Sequence, residues 1–221
     1  MNSTQTIAEQ VVTFKEHLAS QAPAEVLGRF AEEQAGLDRA GIPFGVAQPG
    51  AVMPDGDLLD AHGAPTSLAK ARDGKPAVVV FYRGAWCPYC NIALRAYQEQ
   101  VVPALNTRGV VLIAVSPQKP DGSLSVRETN ELTFPVLSDP GNQLATPLGI
   151  LTHPTDGARE SQAALGLDVA DGNGDGTPNL PMPTTVLVDD AGTIRWIDVH
   201  PNYTSRTEPQ SILDAVASIL D

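Results

Sequence analysis

The chain has 221 residues, and its 42% hydrophobic and 18% charged content is ordinary for a globular protein and argues against disorder. Its 14 Lys and Arg residues against 26 Asp and Glu residues leave a formal net charge of -12, which disfavours nucleic acid and anionic membrane surfaces as partners. No apolar run approaches the roughly 18–20 residues of a membrane-spanning helix. The polar start of the chain also lacks the pattern of a secretory signal. We therefore expect a soluble, cytoplasmic protein.

The first forty residues predict two helices. In the first helix, apolar side chains recur at helical spacing in Ile7, Val11, Phe14 and Leu18. The second helix follows Pro23 and ends near Gly41. We interpret residues 1–44 as a helical N-terminal extension and residues 45–221 as the main domain. The sequence leaves open whether the extension packs on its own main domain or on the partner subunit of a homodimer.

Two apolar, β-branched runs at 77–82 and 110–115 predict strands that are buried on both faces of a sheet. The segment between them, residues 90–107, has helical spacing and contains Pro103, which should kink a helix. Strand, helix and strand in this order form a βαβ unit, whose crossover should be right-handed.

Shorter elements complete the chain. They are a hairpin around 60–63, a helix at 123–130, a strand at 135–138, a helix at 142–148, a helical turn at 161–165 in a loop-rich stretch, a hairpin of strands 184–188 and 193–199, and a C-terminal helix at 209–220. The predicted fold class is α/β, with a central mixed sheet flanked by helices.

The two cysteines stand together in Cys87-Pro88-Tyr89-Cys90, after a buried strand and at the start of a helix. A thiolate there faces free backbone N–H groups and the positive end of the helix dipole, which lowers a thiol pKa. The second cysteine, one turn away, can resolve the species that the first one forms. We therefore predict that Cys87 and Cys90 are a catalytic redox pair. A zinc site is disfavoured because the four histidines are scattered along the chain. Two alternatives remain: a static disulfide and a pair of inert buried cysteines.

A second candidate element is Pro181-Met182-Pro183-Thr184, directly before a strand. A proline at this position commonly does no more than begin the strand. A cis Met182–Pro183 bond, however, would expose the Met182 backbone to an extended chain or to a thiol. We name Met182 and Pro183, together with Trp86 beside the cysteines, as candidate substrate-binding residues.

The string from Phe81 to Asn91, FYRGAWCPYCN, resembles the signature of the peroxiredoxin-like, AhpC/TSA branch of the thioredoxin-fold superfamily. The segments 180–189 and 198–209 resemble the same group, and the similarity covers residues 45–221. This resemblance implies a thioredoxin-like fold. It also implies thiol-dependent peroxide or disulfide chemistry that requires no organic cofactor and no metal.

The sequence departs from the Pro-x-x-x-Thr-x-x-Cys pattern of peroxiredoxins. On that pattern Cys90 takes the peroxidatic position, Cys87 the Thr position and Arg83 the Pro position. The later arginine of the family falls on Pro183. The motif also resembles that of glutaredoxin, in which the first cysteine, here Cys87, attacks, so the two alignments disagree about the attacking thiol. Arg83 is a candidate catalytic residue that would bind a peroxide oxygen, and the alternative is a solvent-exposed arginine at a strand end.

Two weaker patterns are also present. Residues 171–176 match the opening of an EF-hand loop, but Met182 occupies the position of the bidentate carboxylate, so we interpret the segment as a turn. Tyr203, Arg206 and Glu208 are interpreted either as a small polar cluster or as the solvated entry to the last helix.

The leading hypothesis is a peroxiredoxin-like enzyme that reduces hydroperoxides through a sulfenic acid and a Cys87–Cys90 disulfide. A dithiol donor such as a thioredoxin-type protein would restore the pair. Two alternatives stay open: a disulfide reductase in which Cys87 attacks and Cys90 resolves, and a non-enzymatic redox sensor.

Overall fold

A seven-stranded mixed sheet forms the centre of the protein. The structure is a computed structural model, and it describes residues 5–220 except for the side chain of Leu220. Residues 1–4 of the predicted extension lie outside the described residues. The strands, in chain order, are β1 (Leu58–Leu59), β2 (Pro65–Thr66), β3 (Ala77–Phe81), β4 (Val111–Ser116), β5 (Val136–Ser138), β6 (Leu151–Thr152), β7 (Leu180–Pro181), β8 (Thr184–Val188) and β9 (Ile194–Val199). The sheet has the order β2-β1-β5-β4-β3-β8-β9, and β6 and β7 form a separate antiparallel pair.

The sheet is mixed because β3, β4 and β5 run parallel to one another while the outer strands pair antiparallel. Every residue of β3 is buried, as its continuous apolar run predicts. Side chains alternate along a strand, so Val78 and Val80 contribute to one apolar cluster and Val79 and Phe81 to a second cluster on the opposite face. The predicted α/β class and mixed sheet are confirmed.

The described helices are α1 (Ile7–Ala19), α2 (Ala24–Ala40), α3 (Leu68–Arg72), α4 (Pro88–Gln100), α5 (Val102–Thr107), α6 (Pro120–Thr129), α7 (Asp156–Ala164), α8 (Val169–Gly172) and α9 (Pro209–Leu220). The predicted kink is a break at Val101 between α4 and α5, with Pro103 in the first turn of α5. Within residues 5–220, no helix has the length and apolar content to cross a membrane.

The predicted helix at 142–148 is wrong, because the segment is a series of turns. Thr146 N donates to Asn142 O at 3.0 Å and Leu148 N to Leu144 O at 3.3 Å. Pro147 lies between these donors and has no N–H, so the consecutive bonds of a helix cannot form. The helical turn predicted at 161–165 belongs instead to the longer helix α7, which sequence periodicity missed because the helix has few apolar residues.

The N-terminal extension packs on the main domain of its own chain. The Phe14 ring on α1 makes an edge contact with the Tyr89 ring on α4, with 5.4 Å between centroids. Helix α2 lies against α7, where Ser161 Oγ donates to Val26 O at 3.2 Å. The extension therefore adds a layer over the part of the main domain that contains the cysteines.

The beginning of α1 is bound by a carboxylate from the other end of the chain. Ile7 N donates to one oxygen of Glu208 at 2.9 Å, and Ala8 N donates to the other at 2.8 Å. These N–H groups have no partner within the helix, and the positive end of the helix dipole favours a carboxylate there. Glu208 thus joins α1 to the start of α9.

We expect Glu208→Ala to lower the free energy of unfolding by about 1–2 kcal/mol, because two helix N–H groups lose their acceptor. Urea denaturation measures this change. Glu16→Ala is the matched control, since it removes an exposed carboxylate from the middle of α1. Equal stabilities of the two variants would contradict the assigned role of Glu208.

Candidate active site

Cys87 and Cys90 lie where the chain leaves the sheet and enters α4. Strand β3 ends at Phe81, and Cys87 is the N-cap residue of α4. Pro88 occupies the first helical position, where a missing N–H removes no helix hydrogen bond. Cys90 follows in the first turn, and its N–H donates to Cys87 O at 3.0 Å. Both thiols are buried, with exposed fractions of 1% and 0%.

Polar side chains hold the loop that leads into the cysteine pair. Gln118 Nε2 donates to the Tyr82 hydroxyl at 2.8 Å, and Gln118 Oε1 accepts from Ala85 N at 2.8 Å. Asn91 Nδ2 donates to Ala85 O at 2.8 Å. The sequence analysis gave no role to Asn91, although Asn91 ends the string that begins at Phe81, and it missed Gln118, which belongs to no motif. Their contacts fix the backbone from which the thiols project.

Arg206 contacts both sulfurs. Its Nη2 lies 3.0 Å from Cys90 Sγ and 3.8 Å from Cys87 Sγ, and the side chain is buried. Its Nη1 donates to the carbonyl oxygens of Tyr203 and Ser205. The expectation of a solvated helix entry is therefore wrong for Arg206. No local pattern singles out this arginine, because 116 residues separate it from Cys90.

The turn that carries Arg206 is anchored to the end of β9. Asp198 Oδ2 lies 2.9 Å from His200 Nε2 and accepts from Thr207 Oγ1 at 2.8 Å. His200 Nδ1 lies 2.8 Å from Ser205 Oγ. The hydrogen bond with His200 lowers the pKa of Asp198, and this effect exceeds the opposing effect of burial. Asp198 thus stays ionised and holds the residues on both sides of Arg206.

The two thiols have opposite pKa shifts. Burial raises the pKa of Cys87, and its hydrogen bond to Cys90 adds to that rise. Burial also disfavours a Cys90 thiolate, but the Cys87 thiol, the Arg206 charge and the Arg83 N–H together lower the pKa of Cys90 well below its usual value. The Arg83 N–H lies 3.4 Å from Cys90 Sγ. Cys87, Arg206 and the Arg83 N–H therefore favour a thiolate at Cys90, and they are not the helix groups on which the sequence expectation rested.

The Arg83 side chain is buried, with an exposed fraction of 4%, so the alternative of a solvent-exposed arginine is wrong. Its guanidinium carbon lies 3.9 Å from the Tyr203 ring centroid and 5.1 Å from the Trp86 ring centroid. Within residues 5–220, Arg83 Nε has no hydrogen-bond partner. Arg83 therefore has hydrogen-bonding capacity left for a ligand.

The Trp86 indole lies close to the backbone of residue 84. A Cβ on Gly84 would overlap this indole, so glycine is required there.

The structure does not show the open backbone predicted at Met182. Met182 N donates to Ile150 O at 2.7 Å, and Met182 O accepts from Thr184 Oγ1 at 2.9 Å. The described residues contain no cis peptide bond, so the Met182–Pro183 bond is trans. Met182 belongs to the second apolar cluster, which excludes the cysteines. An extended chain therefore finds no free Met182 hydrogen-bonding groups, and Pro183 O is likewise occupied by His200 N.

A cleft of about 340 Å³ opens beside the cysteine pair. We call it the α1–α2 cleft, because side chains of α1 and α2 form one wall and the start of α4 forms another; its residues include Phe14, Leu18, Leu27, Phe30, Trp86 and Cys87. Of the described residues that line it, Cys87 is the one that carries a thiol. Trp86 is thus placed next to any ligand of Cys87, whereas Met182 is not.

The part of the chain that the structure describes has no group of three or more His, Cys, Asp or Glu side chains arranged to hold a metal ion. The loop that resembles an EF-hand opening is closed by its own hydrogen bonds, in which Asn173 Nδ2 donates to Thr177 O and Asn179 O. Residues 174–176 are a turn and a bend, as predicted, whereas residues 171 and 172 are the last residues of helix α8.

The AhpC/TSA family model matches residues 49–197, so the chain belongs to the AhpC/TSA family. Two Mycobacterium tuberculosis proteins that carry the name peroxiredoxin are 35% identical over 101 residues, which is 46% of this chain and 63% of each relative. The chloroplastic peroxiredoxin Q of Gentiana triflora is 25% identical over 177 residues, covering 80% of this chain and 68% of the relative. The protein is therefore peroxiredoxin-like, although the match spans less than two thirds of the Mycobacterium relatives.

Solved structures share the fold. The crystal structure of peroxidoxin BcpB from Mycobacterium tuberculosis is 18% identical and superposes with a TM-score of 0.57 over 78% of this chain and 96% of that chain. Mycobacterium tuberculosis AhpC is 16% identical and gives a TM-score of 0.60 over 80% of this chain and 99% of that chain. The thioredoxin-like fold implied by the sequence resemblance is confirmed.

We expect Arg206→Ala to raise the pKa of Cys90, because the thiolate loses its nearest cation. The ultraviolet absorbance of the thiolate, recorded against pH, measures the shift. Arg206→Lys should raise the pKa less, since a positive charge remains. The control is Arg195→Ala, which removes a half-exposed arginine that pairs with Asp189. An unchanged titration in Arg206→Ala would contradict the assigned role.

Proposed function

We propose that the protein is a thiol-dependent peroxidase that reduces hydroperoxides through Cys87 and Cys90. The observation that carries this proposal is the contact of Arg206 with both sulfurs beside the cleft. A buried cation favours thiolate over thiol, and the thiolate is the form that attacks a peroxide. Membership of the AhpC/TSA family supports the same chemistry.

Cys87 is the attacking residue in this proposal. Cys87 is one of the residues that line the α1–α2 cleft, whereas Cys90 does not line it and has Arg206 and the Arg83 N–H as partners. The Cys87 proton would pass to the thiolate of Cys90, which lies three residues further along the same helical turn and shares the Arg206 contact. Cys90 then acts as the general base, and Arg206 stabilises the negative charge on whichever sulfur carries it.

The first step forms a bond between Cys87 Sγ and the terminal oxygen of the hydroperoxide and breaks the O–O bond. The leaving alkoxide takes up a proton from solvent water to give the alcohol, and Cys87 becomes a sulfenic acid. Arg83 would donate to a peroxide oxygen through its unpartnered Nε. Its guanidinium would also offset the negative charge that develops when the O–O bond breaks.

In the second step, Cys90 Sγ attacks the sulfenic sulfur and water leaves, which gives the Cys87–Cys90 disulfide. The hydroperoxide is thereby reduced to alcohol and water at the expense of two thiols. A dithiol donor, such as a thioredoxin-type protein of the cytoplasm, would then attack the disulfide at the cleft. It would leave as its own disulfide and restore both thiols.

Stopped-flow oxidation of the reduced protein by hydrogen peroxide tests this assignment, with Cys87→Ser and Cys90→Ser as paired variants. We expect Cys87→Ser to abolish the fast reaction. We expect Cys90→Ser to oxidise more slowly, because its general base is lost, and to stop at a sulfenic acid that dimedone traps.

Two results would contradict the assignment in different ways. Fast oxidation that survives Cys87→Ser and is lost in Cys90→Ser would make Cys90 the attacking residue. Wild-type oxidation no faster than that of a free thiol would rule out a peroxidase. If disulfide reduction then depended on Cys87, the reductase alternative would replace it.

A further inference from the structure

Arg83 lines two cavities. One is the α1–α2 cleft, which Cys87 also lines, and the other is a small cavity of about 10 Å³ that Glu33 lines. We call the second one the Glu33 cavity. Tyr203 lines both cavities as well, with its ring centroid 3.9 Å from the Arg83 guanidinium carbon. Arg83 therefore connects the space in front of Cys87 with a carboxylate of the N-terminal extension.

The Glu33 carboxylate is bound at one oxygen and unpartnered at the other. Glu33 lies on α2, and its exposed fraction is 7%. Its Oε1 accepts from Thr155 N at 2.9 Å. Its Oε2 is buried and has no hydrogen-bond partner among the described residues. A buried carboxylate oxygen without a donor is costly, so a donor at Oε2 would stabilise the protein.

Arg83 carries the complementary charge on the same cavity. Among residues 5–220, no carboxylate lies close enough to Arg83 to form a direct ion pair, and Arg83 Nε has no hydrogen-bond partner. The Glu33 charge nevertheless acts across the cavity. Burial raises the pKa of the Tyr203 hydroxyl, and the negative charge of Glu33 adds to that rise. A buried cation and a buried carboxylate thus face one small space without touching.

The Glu33 cavity has the volume of one water molecule. A water requires a cavity of roughly 10–15 Å³ and at least two polar partners. Glu33 Oε2 would accept from this water, and the water would accept from one N–H group of Arg83. Pro183 and three other prolines form much of the remaining wall, and their side chains carry no polar atom. A guanidinium has five N–H groups, so Arg83 can bind the water and a peroxide oxygen together.

We propose that Glu33 is a positioning residue for Arg83 and that it acts through one water molecule bound in the Glu33 cavity. This inference rests on the proposed peroxidase function. The bridge holds the guanidinium at the edge of the α1–α2 cleft, where it meets the peroxide oxygens at Cys87. Helix α2 lies outside the segment 49–197 that matches the family, so an element added to the family domain supports the reaction.

Stopped-flow oxidation by hydrogen peroxide tests the positioning role in Glu33→Gln. The amide keeps the size of the side chain and an acceptor for Thr155 N, but it places an N–H group where the water needs an acceptor. We expect the second-order rate constant to fall roughly tenfold. The control is Glu32→Gln, which removes the same charge from an exposed neighbour on α2 that does not line the Glu33 cavity. This control should react at the wild-type rate.

The same substitution in an Arg83→Met background separates positioning from a structural role. If Glu33 acts through Arg83, Glu33→Gln should cause no further loss once the guanidinium is gone. If Glu33 only supports the fold through Thr155, the substitution should lower the rate by the same factor in both backgrounds. That second result would overturn the positioning role.

A high-resolution crystal structure of the unsubstituted, reduced protein tests the water itself and does not depend on the folding of any variant. We expect a water within hydrogen-bond distance of Glu33 Oε2 and of an Arg83 nitrogen. A dry cavity, or a direct contact between the two side chains, would overturn the water-mediated contact.

The kinetic outcomes also separate this inference from the proposed function. Fast wild-type oxidation with equal rates in Glu33→Gln and Glu32→Gln would overturn the inference and leave the peroxidase assignment in place. Wild-type oxidation at the rate of a free thiol would overturn the proposed function and the positioning role together.

Discussion

The contact between the Arg206 guanidinium and the Cys90 sulfur is the interaction on which the site depends. Both groups are buried, and an isolated charge of either kind would be costly to remove from water. Together they form a charge pair in which Cys90 accepts from Arg206 and from the Arg83 N–H. The site can therefore hold a thiolate inside the protein, provided that the surrounding residues keep Arg206 in position.

Hydrogen bonds from several elements keep the Arg206 side chain in its position beside the sulfurs. The turn containing Arg206 is tied to β9 through Asp198, and Glu208, two residues after Arg206, binds the start of α1. Helix α1 in turn packs on α4, whose first turn carries the cysteines. Residues from both ends of the chain thus meet around one sulfur pair. In this chain the cation at the sulfurs comes from the turn before α9.

The sequence predicted the features that depend on neighbouring residues. The apolar run of β3, a helix that begins at the cysteine pair and the hairpin of β8 and β9 follow from local composition and spacing. Local reasoning failed where a distant residue or a single missing donor decides the structure. Pro147 prevents the helix predicted at 142–148, and the Met182 N–H is bound by Ile150, a residue distant in the chain that lies beside it at the end of the β6–β7 pair. Arg206 was visible only as one member of a polar group, because its role requires the folded chain.

We expect the reduced pair to share its charge unequally, with the thiolate on Cys90, which lies 3.0 Å from Arg206 Nη2, and the proton on Cys87, which lies 3.8 Å from it. The most direct measurement is a nuclear magnetic resonance titration of the reduced protein labelled with carbon-13 at the cysteine β-carbons. We expect the Cys90 signal to report ionisation at a lower pH than the Cys87 signal, and we expect Arg206→Ala to reduce this difference. Ionisation of Cys87 before Cys90, unaffected by Arg206→Ala, would contradict this expectation.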